Sequence, residues 1–213
     1  MLLNASSTVA GVSDVSALAD PPADEHERDA QLMHTWVEGD GKAFDTLHAI
    51  YRERVWRYLR RSVSDEEQAR ELYQDVWMRV IDRREEWQPS GRFVGWLFTI
   101  ARNRVVDHHR AQTRGADKTI YIDVDTQLPE TAVVSLATPL SPHRQAELAQ
   151  DHARVQQALE HLPAAQKEAI LLHHVAGMTL EEIGQATGHK REAVKSRLRY
   201  GVNRLRKILG AAS

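Results

Sequence analysis

The sequence predicts an all-α protein made of two small helical domains joined by an extended linker. Three observations carry that expectation. Apolar residues recur at spacings of three and four within 42–114 and again within 141–213, the stretch between them keeps no sustained period, and the charge changes sign along the chain in step with this texture. Formal net charge is −7 over residues 1–41, +4 over 42–114, −3 over 115–150 and +4 over 151–213, within an overall −2. Two basic, patterned modules separated by an acidic segment suit two contacts with one polyanion, although solvated helix faces would give the same charge.

Composition narrows the class. Of 213 residues, 42% are hydrophobic and 27% charged, a globular balance that excludes wholesale disorder and a membrane-embedded chain. The absence of cysteine removes disulfide scaffolds, thiolate catalysis and Cys-based zinc, and fits a reducing, cytoplasmic setting. Residues 1–22 lack a cationic start and break their apolar run with Ser, Asp and Gly, so neither a secretion signal nor membrane insertion is expected.

Residues 1–41 read as an acidic N-terminal extension, mostly disordered. From 42 to 114 a first domain begins with a helix whose buried stripe is Phe44, Leu47, Tyr51, Val55 and Tyr58. Ser64-Asp65-Glu66-Glu67 reads as a capping box, followed by Ala69, Leu72, Val76 and Val80, and Trp87-Gln88-Pro89-Ser90-Gly91 as a turn. A third helix carries Phe93, Trp96, Leu97, Ile100 and Ala101 inward. Residues 115–140 read as a linker, in which Asp123 and Asp125 are solubilising charge and not a metal pair.

The second domain, 141–213, opens with Ser141-Pro142, is interrupted at Pro163, and carries Thr179-Leu180-Glu181-Glu182 as a capping box before a helix of about eight residues. Gly188 ends that helix and a longer basic one follows. Short helix, glycine turn and longer basic helix is the sequence form of a helix-turn-helix. On the last helix Val194, Leu198, Val202, Leu205, Ile208 and Leu209 share one arc, leaving Lys195, Ser196, Arg199 and Tyr200 outward with Arg191 and Arg197 at the flanks. These donors suit phosphates and purine edges. Cations complementing a helix dipole would gather at the last turn, whereas these begin at the first.

The first domain offers two further faces. Glu67, Glu71, Gln74 and Met78 share the side of their helix opposite Leu72 and Val76, an acidic stripe with an apolar centre that suits a partner's basic helices. On the third helix Thr99, Arg102, Asn103, Val106 and Arg110 project away from the core stripe, with aromatic residues, Trp96 among them, around its start. Cations interleaved with rings are what unpaired bases call for, while Trp96 and Phe93 read as core before they read as stacking platforms.

At these residues the chain resembles the extracytoplasmic-function sigma factors, the two-domain initiation subunits of bacterial RNA polymerase. Residues 69–77 are similar to that family's polymerase-binding helix, 95–107 to its promoter-melting segment, and 162–198 to its second DNA-binding domain. The resemblance implies that Glu71, Gln74 and Asp75, flanked by Glu67 and Met78, grip the coiled coil of the largest polymerase subunit, with the flap as a further contact. It implies that Asn103 and its neighbours, Trp96 included, capture an extruded base of the minus-ten element, and that Lys195, Ser196 and Arg199 read the minus-thirty-five element as duplex. Promoter DNA and core polymerase are the implied partners, and an inhibitor (an anti-sigma factor) is a further option. Arg70 stands where the family usually has an acid. Gly184, Thr187 and Ala193 replace the more usual alanine, leucine and threonine, and Tyr200-Gly201 a common Arg-Ala pair, which together predict a softer second domain.

The implied mechanism is non-enzymatic: core polymerase holds two modules a fixed distance apart, and effective concentration joins two weak DNA contacts. The rival reading is a dimeric helix-turn-helix regulator that binds operator DNA independently of polymerase. No Gly-rich phosphate loop, His-Glu-x-x-His or nucleophile elbow is present, and none of the eleven histidines lies three or four residues from another. No cofactor, metal or catalytic residue is expected.

Overall fold

The computed structural model describes residues 23–114 and 154–211, and every regular element among them is helical. In chain order these are α1 (Ala23–Val37), α2 (Gly41–Ser62), α3 (Glu66–Asp82), a 3₁₀ turn (Arg84–Glu86), α4 (Phe93–Arg114), α5 (154–160), α6 (Ala164–Ile170), α7 (Leu180–Thr187) and α8 (Arg191–Ala211). One π-helical turn, Leu171–Val175, extends α6. The expected linker and the Ser141-Pro142 helix start lie outside the described residues.

Helices α2, α3 and α4 form the centre of the first module. Leu47, Val55, Val76, Val80 and Leu97 are fully buried there, on the stripes their spacing predicts, and Phe98, outside the expected stripe, is buried with them. Burial of each large apolar side chain contributes about 1.5–3 kcal/mol. Asp40 caps α2 by accepting the Lys42 N–H at 2.9 Å. At the start of α3 the capping residue is Asp65, one place beyond the expected Ser64, and it accepts the Glu67 N–H. Asp and Ser cap about equally well, so the pattern alone does not choose between neighbours.

The expectation of a mostly disordered stretch over 1–41 fails from residue 23 onward. Helix α1 packs on α2, burying Met33 and Trp36, and Trp36 stacks on Phe44 with ring centroids 4.8 Å apart. Asp29 is 2% exposed, accepts from the Tyr51 hydroxyl and pairs with Arg28. Apart from Asp29, the acids of this segment among the described residues are exposed or half-buried, and Asp24 and Glu25 lie in the first turn, where they complement the helix dipole. Averaged charge concealed the apolar stripe.

In the second module α6 and α7 brace α8, whose Val194, Leu198, Val202 and Leu205 are buried. The two modules are not held apart in this structure. One continuous apolar cluster runs through both, with α2 against the π turn and α4 against α7.

Candidate nucleic-acid interface

In the second module the capping box at α7 is complete. The Thr179 hydroxyl accepts the Glu182 N–H at 3.2 Å, and the Glu182 carboxylate accepts the Thr179 N–H at 2.7 Å. Gly188 closes α7 with φ +70°, a left-handed conformation that glycine adopts without a Cβ penalty. The following turn folds back so closely that a Cβ on Gly184 would lie 2.7 Å from the His189 carbonyl oxygen. The glycine is a fitted contact at the turn.

This bracing sets the outward face of α8. Lys195, Ser196, Arg199 and Tyr200 are exposed, Arg191 is exposed and Arg197 half-buried. Among the described residues the side chains of Lys195 and Ser196 make no hydrogen bond or ion pair. The Arg199 guanidinium lies 5.0 Å from the Tyr200 ring centroid, and Arg191 pairs with Glu181 of α7. The expected recognition residues therefore share one surface, with Arg191 also joining the two helices of the motif.

In the first module Arg102, Asn103, Val106 and Arg110 of α4 line one cleft of about 400 Å³. Arg79 and Arg83, from the end of α3, and Arg104 face into the same space. Sequence reasoning missed these three, because Arg79 and Arg83 lie on the helix assigned to a protein partner and only the α3–α4 packing brings them to α4. Their signal was an i, i+4 arginine pair at that helix end. Asn103 is exposed. Trp96 and Thr99 lie outside the cleft: Trp96 is half-buried against Phe93, and the Thr99 hydroxyl donates to the Gly95 carbonyl at 2.7 Å.

On α3, Glu67, Glu71, Gln74, Asp75 and Met78 are all exposed, with Met78 58% accessible. Two of the carboxylates are engaged. Arg70 reaches Glu67 at 3.4 Å as well as Glu66, and Asp75 pairs with Arg104 of α4. Glu71, Gln74 and Met78 remain as an open acidic and apolar strip.

Among the described residues no group of His, Asp and Glu is placed to hold a metal ion, and no helix is long and apolar enough to cross a membrane. What the geometry defines is a nucleic-acid-binding protein with two cationic faces, one of them in helix-turn-helix form, beside a strip suited to a protein. Residues 47–115 match the Sigma-70 region 2 family and residues 158–207 match Sigma-70, region 4. The chain is 31% identical over 180 residues to the RNA polymerase sigma factor CarQ of Myxococcus xanthus, covering 84% of this chain and 95% of that one. It is 32% identical over 168 residues to the ECF RNA polymerase sigma factor RpoE of Cereibacter sphaeroides, covering 78% and 86%. The chain belongs to the ECF RNA polymerase sigma factors, which bind RNA polymerase and recognise promoters.

Two solved structures share the fold. CnrH, in complex with the cytosolic domain of CnrY, superposes with a TM-score of 0.62 at 22% identity, over 87% of this chain and 99% of that one. RpoE of Bartonella quintana, in complex with the anti-sigma factor NepR, gives a TM-score of 0.62 at 22% identity, over 79% and 98%.

Proposed function

We propose a division of labour among the faces of this sigma factor. The α3 strip, with Glu71, Gln74 and Met78 at its centre and Glu67 and Asp75 at its edges, docks on the coiled coil of the largest polymerase subunit. The cleft between α3 and α4 takes the minus-ten element as a single strand: Arg79, Arg83, Arg102 and Arg110 hold phosphates while Asn103 hydrogen-bonds an unpaired base. Lys195, Ser196, Arg199 and Tyr200 enter the major groove of the minus-thirty-five duplex, with Arg191 and Arg197 on the flanking backbone. Trp96 and Thr99 act by shaping α4 and do not contact DNA.

The observation that carries this reading is the convergence of arginines from two helices on one cleft beside an exposed Asn103. Phosphates need several cations around a space wide enough for a strand, and a base needs an amide free to pair with it. The chain acts in the cytoplasm, catalyses no reaction itself and needs no cofactor. On the precedent of the CnrY and NepR complexes, an anti-sigma protein is a further partner. A dimeric operator-binding regulator is not favoured, because both family matches belong to polymerase subunits.

Run-off transcription with core polymerase tests the assignment. Asn103→Ala is expected to abolish promoter opening with polymerase binding intact, and Glu71→Ala to weaken assembly. Lys195→Ala is expected to cost about 1–3 kcal/mol at the upstream element. Full opening by Asn103→Ala would reject the cleft as the minus-ten site.

A further inference from the structure

Among the described residues, polar links cross from the first module to the second. Arg54 donates to the Ala176 carbonyl at 3.1 Å, Arg92 pairs with Glu182 at 3.1 Å, and Arg102 pairs with Glu168 at 2.9 Å. The two ion pairs are sheltered, with side-chain exposures of 19% and 16% for the first and 18% and 27% for the second. Water competes poorly for such charges, so they hold geometry better than surface pairs do. The fit around them is close: a Cβ on Gly95 would come within 2.8 Å of the Glu182 carboxylate and within 3.1 Å of its Cγ.

The arginines concerned are not incidental. Arg92 and Arg102 lie at the start and in the middle of the α4 segment that carries the cationic face, and Arg102 lines the cleft itself. Both are occupied by carboxylates of the helix-turn-helix module. Glu182 also completes the cap of α7, so the residue that starts the first helix of the motif holds a cation of the other module.

We infer that the two modules clasp one another through Arg92–Glu182 and Arg102–Glu168, so that Glu168 and Glu182 stand where DNA phosphates would bind and hold the free chain off single-stranded DNA until the modules part. This rests on the reading of the cleft as the minus-ten site. The clasp is set by carboxylates of this chain's own second module and requires no inhibitor. It also accounts for α4 packing against α7 while Asn103 stays exposed, since closure takes Arg102 from the phosphate-binding set and leaves the base-reading amide in place.

The absence of cysteine makes the test direct. Spin labels on Gln31→Cys and Asn203→Cys, both exposed and outside every proposed contact, report the distance between modules in the full chain by double electron-electron resonance. The parent is expected to give one narrow distribution. Glu168→Arg, which faces Arg102 with a like charge and leaves every proposed DNA contact intact, is expected to broaden and lengthen it. Glu168→Gln should do so more weakly, and it serves if the arginine variant folds poorly. In parallel, fluorescence anisotropy with a labelled 12-nucleotide single strand of mixed sequence should show Glu168→Arg binding about fivefold tighter than the parent, as cations are released to phosphates. Restoring the pair in reverse, Arg102→Glu with Glu168→Arg, should bring the narrow distribution back.

An unchanged distribution in Glu168→Arg, or a reversed pair that fails to narrow it, would overturn the clasp. Opening without a gain in single-strand affinity would overturn its inhibitory role. Asn103→Ala placed in the Glu168→Arg background separates the two ideas. If it leaves single-strand affinity unchanged, the cleft is not the DNA site and the inhibition fails with it, while the distance measurement still decides whether the modules close.

Discussion

Asp75 of α3 pairs with Arg104 of α4, so the helix bearing the polymerase strip is joined by charge to the helix bearing the promoter cleft. Asp75 is half exposed, whereas Arg104 is mostly sheltered and its Nε is buried with no other partner. Removing the carboxylate therefore leaves the guanidinium, which lines the cleft, with only the more distant Asp107 carboxylate at 3.7 Å among the described residues. Screening by solvent keeps the loss modest, and Asp75→Ala is expected to cost about 0.5–1 kcal/mol. A thermal-denaturation cycle with Arg104→Ala should recover a coupling of that size, and strict additivity would show that the pair does not link the helices.

Helix α1 behaves as part of the first domain. Asp29→Ala leaves the Tyr51 hydroxyl buried without its acceptor and is expected to cost about 1–3 kcal/mol in urea unfolding. Deleting residues 1–40 removes Met33 and Trp36 as well, and should lower the denaturation midpoint by more than that single change. A truncated chain as stable as the parent would return α1 to the status of an appendage.

Gly184→Ala reports on the helix-turn-helix turn. The added methyl meets a backbone oxygen, which cannot rotate away as a side chain would, so the turn itself must shift. A loss of about 1–3 kcal/mol is expected, the range for overpacking. Circular dichroism melts of the full chain decide it, with no change in midpoint counting against the close approach.

Acid should weaken the first module. Burial, and then the nearby Arg52, push the His48 imidazole below its ordinary value. Burial followed by His108 does the same to His109. The folded state thus prefers the neutral rings. Their contribution is fully present above the unfolded value near 6.5 and is lost as pH falls through the depressed folded values. His48 also contacts the Tyr73 hydroxyl at 3.1 Å and lies against Trp77. The midpoint is expected to be lower at pH 5 than at pH 7, and His48→Gln, which retains a partner for Tyr73, should shrink that difference. An unaltered difference would remove His48 from the account.

Much of this was legible before any coordinates. The stripes through Leu47, Val76 and Leu97 placed α2, α3 and α4, because helical periodicity is a local property that burial only has to accept. The Thr179–Glu182 box and Gly188 placed the helix-turn-helix, since caps and left-handed turns are also local. Charge misled over 23–37, where Met33 and Trp36 lie three apart beneath an acidic average.

The sequence by itself determined the helices, their inward faces, the outward cations of α8 and the family resemblance, each of which depends on residues within a few turns of one another. Only the tertiary structure decided that Arg79 and Arg83 join Arg102 in one cleft, and that Glu168 and Glu182 hold the arginines of the other module. Those partners are 19 to 90 positions apart, and no local period encodes which of many arginines a given carboxylate will meet. The meeting is fixed by how two buried apolar faces pack, and charge then settles where the packing has brought it.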